Sequence, residues 1–370
     1  MTSHPTRRPH PSPGALSSRP RRVQSGARPK AGRGHEGWHT RMTSSTSSGG
    51  ARSSGTQQID VSAIREFGEV LLTSPVRLCF IVEARYENDV MPGAVVDVLR
   101  SCGHSVDVLR PNGTVTDLWE LLPTDVARYD AFVLKTVSEG PGLSLLDAAA
   151  AAGVTTVNDY RAIRLARDKA VAAVRARAAG IPFPKTWFAS KSALLDQIPA
   201  DAYPLVVKPN SGSALRDVYR VDSPDELARL AIGGSLLAQP YLPNPGHDVK
   251  LYNTGDEVFA TVKRSPLHPG ADVVEEQIPV TPELRNLARA VGRVFGLDIY
   301  GIDVVETAEG WVVLDVNDVP SFGNVPRAAW RLARTVLRVT RRQAAAKAAA
   351  EASAPTVYRP VVTSVRENRA

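Results

Sequence analysis

Two aspartates and an asparagine carry the strongest chemical signal in the chain. Asp303 lies in Gly301-Ile-Asp-Val-Val305, and Asp315 and Asn317 lie in Val313-Leu-Asp-Val-Asn317. Residues two apart on a strand point to one face, so Asp315 and Asn317 are aimed together. If the two apolar runs pair as neighbours, Asp303 joins them. Three oxygen ligands in an apolar setting suit Mg²⁺, a hard cation that commonly bridges phosphates. A single such aspartate would read as a strand cap or an arginine partner; the set of three reads as a metal site.

A second signal is Pro204-Leu-Val-Val-Lys-Pro-Asn-Ser-Gly-Ser213. Lys208 ends a buried strand where an anion can sit, and the amides of Asn210, Ser211, Gly212 and Ser213 can cradle phosphate oxygens. Alone, a lysine before a small-residue turn is more often a surface feature. A third is Gln239-Pro-Tyr-Leu-Pro243, a strand end whose kink exposes backbone groups able to meet an adenine edge; by itself it decides nothing.

These groups need strands and helices to hold them. Val76–Val82, Val106–Leu109, Asp130–Leu134 and Thr155–Val157 read as strands alternating with helices over Pro92–Ser101 and Leu145–Ala152. That alternation predicts an α/β, doubly wound open parallel sheet over 76–158, with structure beginning near Val76. Helices over 159–179 end at Gly180-Ile-Pro182, and short β-rich runs follow at 205–208, 218–221, 236–239, 249–253 and 258–263. Thr281 is a helix N-cap, Ile299–Val305 and Trp311–Val316 form a hairpin around Ala308-Glu-Gly310, and an Arg-rich helix runs from Pro326 to about Ala350.

Charge divides the chain. Its net +7 resides at the ends: residues 1–41 hold nine Lys or Arg against one acid, and 331–370 nine against two, leaving 42–330 at −8. An acidic body is not the footprint of a folded nucleic-acid-binding domain. Residues 1–57, rich in Ser, Pro, Gly and Arg, cannot bury enough apolar surface to fold and read as a disordered basic tail, and 351–370 read as a disordered tail. No apolar run is long enough to span a membrane. Two isolated cysteines, Cys79 and Cys102, make no disulfide framework and point to a reducing cytoplasm. Four of the seven histidines precede residue 40, leaving His104, His247 and His268 far apart, with no zinc spacing and no Ser-His-Asp set. No GxGxxG follows the first strand, which argues against a dinucleotide enzyme.

The ordered series Asp168-Lys169, Gly180-Ile-Pro-Phe-Pro-Lys-Thr186, Val206-Val-Lys-Pro209, Gln239-Pro-Tyr-Leu242, Asp248-Val-Lys250, Lys263-Arg264, Gly301-Ile-Asp303 and Leu314-Asp-Val-Asn317 resembles the ATP-grasp superfamily. It is most similar to the RimK-like carboxylate–amine ligases and also to the inositol phosphate kinase branch. The resemblance covers about 76–330 and implies an ATP-grasp fold: the open-sheet domain at 76–158, a central lobe at 159–242 and a C-terminal lobe at 243–340, with Mg-ATP between the last two. It implies that Lys169 and Lys208 hold the α- and β-phosphates, aided by Ser211, Gly212 and Ser213. Gln239 would meet the adenine amino group beside a hinge of Tyr241 and Leu242, and Asp248 the ribose. Lys250 would face the substrate or the γ-phosphate, Arg264 the transferring phosphoryl group, and Asp303, Asp315 and Asn317 would bind Mg²⁺, with Mn²⁺ as a substitute. Two departures stand out: the phosphate loop has one glycine where the ligases have several, and position 315 is Asp, typical of the kinases, where ligases usually have Glu.

The expected function is ATP-dependent ligation of a carboxylate to an amine through an acyl phosphate, on a small-molecule or peptide substrate. A small-molecule kinase of the same fold is the alternative, and a nucleotide-binding protein without turnover the third. The substrate is expected to meet loops 83–92, 135–142 and 321–324. Deleting residues 1–57 is expected to leave cooperative melting and ATP affinity unchanged; a truncated protein that melts without cooperativity would show that the tail is structural.

Overall fold

The computed structural model describes residues 61–353 except 88, 122–128, 137–139, 213–217 and 231. The expected tail at 1–57, most of that at 351–370, and the candidate residue Ser213 lie outside the described residues.

The described chain opens earlier than expected, with α1 (Val61–Leu71), whose Ala63, Phe67 and Leu71 recur at four-residue spacing and are all buried. It is followed by β1 (Arg77–Val82), α2 (Val90–Ser101), β2 (Ser105–Leu109), β3 (Ala131–Lys135), α3 (Pro141–Ala151) and β4 (Thr155–Val157). The strands form a parallel sheet in the order β2-β1-β3-β4, as the alternating pattern predicts. Both β1 and β3 are nearly all apolar and buried, because helices cover both faces of a parallel sheet. His104 ties the layers: its Nδ1 accepts from Val76 N at 3.3 Å and its Nε2 donates to Leu71 O at 2.9 Å, which places the proton on Nε2. Gly140 and Gly142 start α3 against Glu83, which accepts from Gly142 N at 3.1 Å; a Cβ at Gly140 would collide with that carboxylate.

Two helices cross to the next layer, α4 (Tyr160–Arg167) and α5 (Lys169–Ala178). They break at Asp168, whose carboxylate caps α5 by accepting from Ala170 N and Val171 N, each at 3.1 Å. Then come β5 (Trp187–Ala189), β6 (Leu205–Pro209), β7 (Tyr219–Val221), the short α6 (Pro224–Leu227) and β8 (Leu236–Pro240), forming an antiparallel sheet ordered β5-β8-β6-β7. Leu205, Val207, Leu236 and Ala238 point to its own core, so Val206, Lys208, Leu237 and Gln239 share the other face.

A five-stranded antiparallel sheet completes the body: β9 (His247–Asn253), β10 (Val258–Arg264), β11 (Gln277–Ile278), then α7 (Pro282–Phe295), β12 (Tyr300–Thr307) and β13 (Gly310–Asp318), ordered β11-β10-β9-β12-β13. Thr281 Oγ1 accepts from Leu284 N at 3.3 Å, the expected cap of α7. One face, with Val249, Leu251, Ala260, Ile302 and Val304, packs on α7, α4 and α5. The last helix, α8 (Ala328–Ser353), packs against α1, α2 and β4, and its Arg334 and Arg338 pair with Asp256 in the β9–β10 turn, while Tyr252 and Phe259 of that sheet join the same core.

Asn158 pins the parallel sheet to β12. Fully buried, it donates to Ile299 O at 2.6 Å and accepts from Ile299 N at 2.8 Å and Asp298 N at 2.9 Å. Asn158→Ala strands those buried backbone groups and is expected to cost about 3 kcal/mol, read by urea unfolding; a loss under about 0.5 kcal/mol would mean that water replaces the amide.

Candidate functional site

Cross-strand partners point to the same face of a sheet. Asp303 is opposite Lys250 on β9 and opposite Asp315 on β13, Gly301 is opposite Asn317, and Lys263 is opposite Asp248. Asp248, Lys250, Lys263, Asp303, Asp315 and Asn317 therefore form one polar surface on the sheet face turned away from α7. Lys250 Nζ donates to both oxygens of Asp303, at 2.8 and 3.1 Å, and Asn317 Nδ2 donates to Asp303 Oδ2 at 3.0 Å. The hairpin pairing expected from sequence thus brings all three proposed metal ligands together. No cluster of three or more His, Cys, Asp or Glu able to hold a metal occurs among the described residues; this set is two carboxylates and an amide.

Two further cations approach from the other side. Asn210, just after β6, accepts from Lys169 N through its carbonyl at 3.2 Å and from Ala170 N through Oδ1 at 2.9 Å, so the start of α5 is stitched to the end of β6. That brings Lys169 beside Lys208. Lys169 Nζ lies 3.4 Å from Asp315 Oδ1, and Lys208, buried, donates across the sheets to Leu314 O at 3.0 Å. Burial pushes the Lys208 ammonium down, more than Asp315 and Asp303 pull it up. Burial would raise the Asp315 carboxyl, but Lys169, Lys208 and Lys250 outweigh it and hold it below the usual carboxylate range, hence ionised at neutral pH. Gly212 follows with φ of +104°, a conformation open to glycine, on the wall of the same cleft.

The remaining candidates surround this centre. Gln239, buried on the Lys208 face, donates through Nε2 to Thr186 Oγ1 at 2.9 Å. Tyr241 continues the strand through its N–H to Pro204 O at 2.8 Å, and its hydroxyl meets His268 Nε2 at 2.8 Å; Leu242 follows, half-buried. Ser211 borders a separate groove with Asn210, Asp168 and Arg164. Asp248 is pushed up to about 6, first by burial, then by Asp303, against a lowering hydrogen bond from Ser265. Arg264 is not brought into the cluster: it is exposed, and its guanidinium donates to Pro269 O at 3.3 Å. Strand alternation instead turns its neighbour Lys263 to the site face, where it pairs with Glu275 at 2.6 Å.

Two site residues escape sequence reasoning. Arg167 grips Asp318 with two hydrogen bonds of 2.8 Å, side chains 10% and 7% exposed, and also reaches Thr136 Oγ1 at 3.2 Å. Lys135, at the end of β3, donates to Val319 O at 2.5 Å. Both line a cleft of about 270 Å³ together with Lys169, Gly212, Lys250 and Asn317, and with Arg85, Tyr86, Asp89 and Ser321. The loops expected to meet substrate, 83–92, 135–142 and 321–324, each contribute a residue to it.

Residues 166–330 match the model of a family described as the RimK-like ATP-grasp domain. A probable alpha-L-glutamate ligase of Haemophilus ducreyi is 30% identical over 237 residues, spanning 59% of this chain and 76% of its own length. Another, probable alpha-L-glutamate ligase 2 of Shewanella amazonensis, is 26% identical, over 63% of this chain and 85% of its own. The crystal structure of a RimK domain ATP-grasp protein from Sphaerobacter thermophilus shares the fold, with a TM-score of 0.59 at 19% identity, covering 71% of this chain and 98% of that one. Among the described residues no helix is long and apolar enough to cross a membrane.

The raised carboxyl of Asp248 has a stability consequence. A carboxyl whose folded pKa of about 6 exceeds its ordinary 3.8 favours the protonated fold, so its cost is present above pH 6 and vanishes as pH falls below 3.8. Asp248→Asn is expected to stabilise the chain by about 1–2 kcal/mol at pH 7.5 and by nothing at pH 3.5, read by urea unfolding; a gain equal at both pH values would exclude the carboxyl charge as its cause.

Proposed function

The chain belongs to the RimK-like ATP-grasp family and is an ATP-dependent carboxylate–amine ligase, and we propose that Lys169 and Lys208 hold its ATP phosphates while Asp303, Asp315 and Asn317 hold Mg²⁺. The observation that carries this reading is the convergence of three lysines on two facing carboxylates at the seam between two antiparallel sheets. The donor set fits the ion: Asp315 is ionised, Asp303 faces it across the strands, and Asn317 can offer its amide oxygen by turning over. Bound there, Mg²⁺ would supply charge neutralisation along the β- and γ-phosphates.

In the proposed reaction a carboxylate oxygen of the acid attacks the γ-phosphorus of ATP. The bond to the β,γ-bridging oxygen breaks and ADP leaves with that electron pair, giving an acyl phosphate. The amine nitrogen then attacks the acyl carbon, inorganic phosphate departs, and the nitrogen loses a proton. The chain's own work is positioning and charge. Lys208 on β6 and Lys169 at the start of α5 fix the phosphates, and Lys250 balances charge developing at the transferred group. Gln239, Tyr241 and Leu242 border the base and Asp248 the ribose. The relatives' name makes L-glutamate the first probe, as acid and as amine.

ATP consumption with L-glutamate and a pool of acids, amines and short peptides tests the ligase reading: an amide product mass is expected, a phosphorylated product would make it a kinase, and no turnover with bound ATP would make it a binding protein. Lys208→Ala is expected to weaken Mg-ATP binding about ten- to a hundredfold by calorimetry. Arg264→Ala should hold ATP affinity within about threefold. If its turnover falls, the exposed guanidinium reaches the phosphoryl group during transfer; if its turnover is unchanged, Arg264 belongs to its own loop alone. An unaltered ATP affinity in Lys208→Ala would remove the phosphate site from the end of β6.

A further inference from the structure

The cleft wall contributed by the parallel sheet carries a cation that the ATP chemistry does not use. Lys135 is 8% exposed. An ammonium has three donors, and among the described residues Lys135 places one, on Val319 O. The Tyr86 ring centroid lies 4.8 Å from its Nζ, and the guanidinium carbon of Arg85 lies 5.9 Å from the same centroid. Of the carboxylates acting on Lys135, Asp318 is already gripped by Arg167, and Asp89 is exposed. Burial pushes the Lys135 ammonium down to about 8, so the fold keeps this charge at a cost. A buried cation with spare donors facing a cleft is accounted for by an anion that arrives with the ligand.

We propose that Lys135 and Arg85, around the Tyr86 ring, form a carboxylate-binding subsite that holds the substrate carboxylate on the wall opposite the phosphate-binding lysines. The subsite rests on the ligase reading. The phosphates are assigned to the central-sheet side, so the anion left for this wall is a carboxylate. It belongs either to the acid that is phosphorylated or to the amine substrate.

The test is calorimetric titration of L-glutamate, glutarate and succinate into the full chain saturated with Mg²⁺ and AMPPNP. Lys135→Met should weaken the carboxylate that binds about tenfold or more, and Arg85→Ala, on an exposed side chain, about threefold. Lys135→Arg should retain most affinity. Nucleotide affinity should stay within about twofold in every variant, and the melting temperature of Lys135→Met should equal or exceed that of the wild type, because a costly buried charge is gone. Carboxylate affinity unchanged in Lys135→Met, or nucleotide affinity lost in parallel, overturns the subsite. So does a wild-type chain that binds none of the three carboxylates; the ligase reading is judged separately by ATP consumption. Replacing the amine by hydroxylamine separates the two sources. Hydroxamate formation lost in Lys135→Met assigns the subsite to the reacting acid, and hydroxamate retained with amide formation lost assigns it to the amine substrate.

Discussion

One buried ion pair sets the geometry on which the site depends. Arg167 and Asp318 face each other through two parallel bonds of 2.8 Å. Each is a chain neighbour of the candidate machinery: Arg167 precedes Asp168 and Lys169, and Asp318 follows Asn317. Through Thr136 the same guanidinium also reaches the end of β3. Burial would lower this guanidinium, and Asp318 more than restores it. A buried pair of this kind adds little net stability, but breaking it leaves a charge without a partner, so the planar fork tolerates few alternatives. Three segments from different layers are thereby held in one register.

Around that pair the site offsets most of its own charge, three lysines against two carboxylates. Lys250 balances Asp303, and Lys169 and Lys208 balance Asp315. On the proposed reading, nucleotide and metal arrive as a matched set of opposite charges. Lys169 and Lys250 exchange a carboxylate for a phosphate, Lys208 exchanges the Leu314 carbonyl for one, and each carboxylate exchanges a lysine for the cation. The polar groups are aligned before the ligand comes, which lowers the reorganisation needed on binding.

Much of this was legible in the residue order. The runs 205–208 and 313–317 are apolar, short and bounded, so the strands were readable, and a period of two aimed Asp315 and Asn317 together. The parallel sheet followed from alternation alone. What stayed hidden depends on distance along the chain: Arg167 meets Asp318 across 151 positions, and Lys135 meets Val319 across 184, and no local pattern encodes such meetings. Arg264 shows a different limit. Order along the chain marks Lys263-Arg264 as a pair, but which of the two faces the site is set by the register with β9, where Lys263 sits opposite Asp248. Helix α1 lies ahead of the expected start near Val76, although Ala63, Phe67 and Leu71 carry its four-residue spacing in the sequence, beside a tail of very different composition.

The return of α8 to the first sheet bears on how the chain is made. The core around α1, α2 and the early strands is closed by Leu332, Ala333, Val336 and Leu337, more than 170 positions after β4 ends. A ribosome delivers residues 61–157 long before it delivers these, so the parallel sheet emerges with one apolar flank bare and waits through the synthesis of both antiparallel sheets. The parallel sheet is first in sequence and last to be sealed. Contacts of such long separation slow folding, and a nascent chain in this state presents a sticky surface of the kind that chaperones bind.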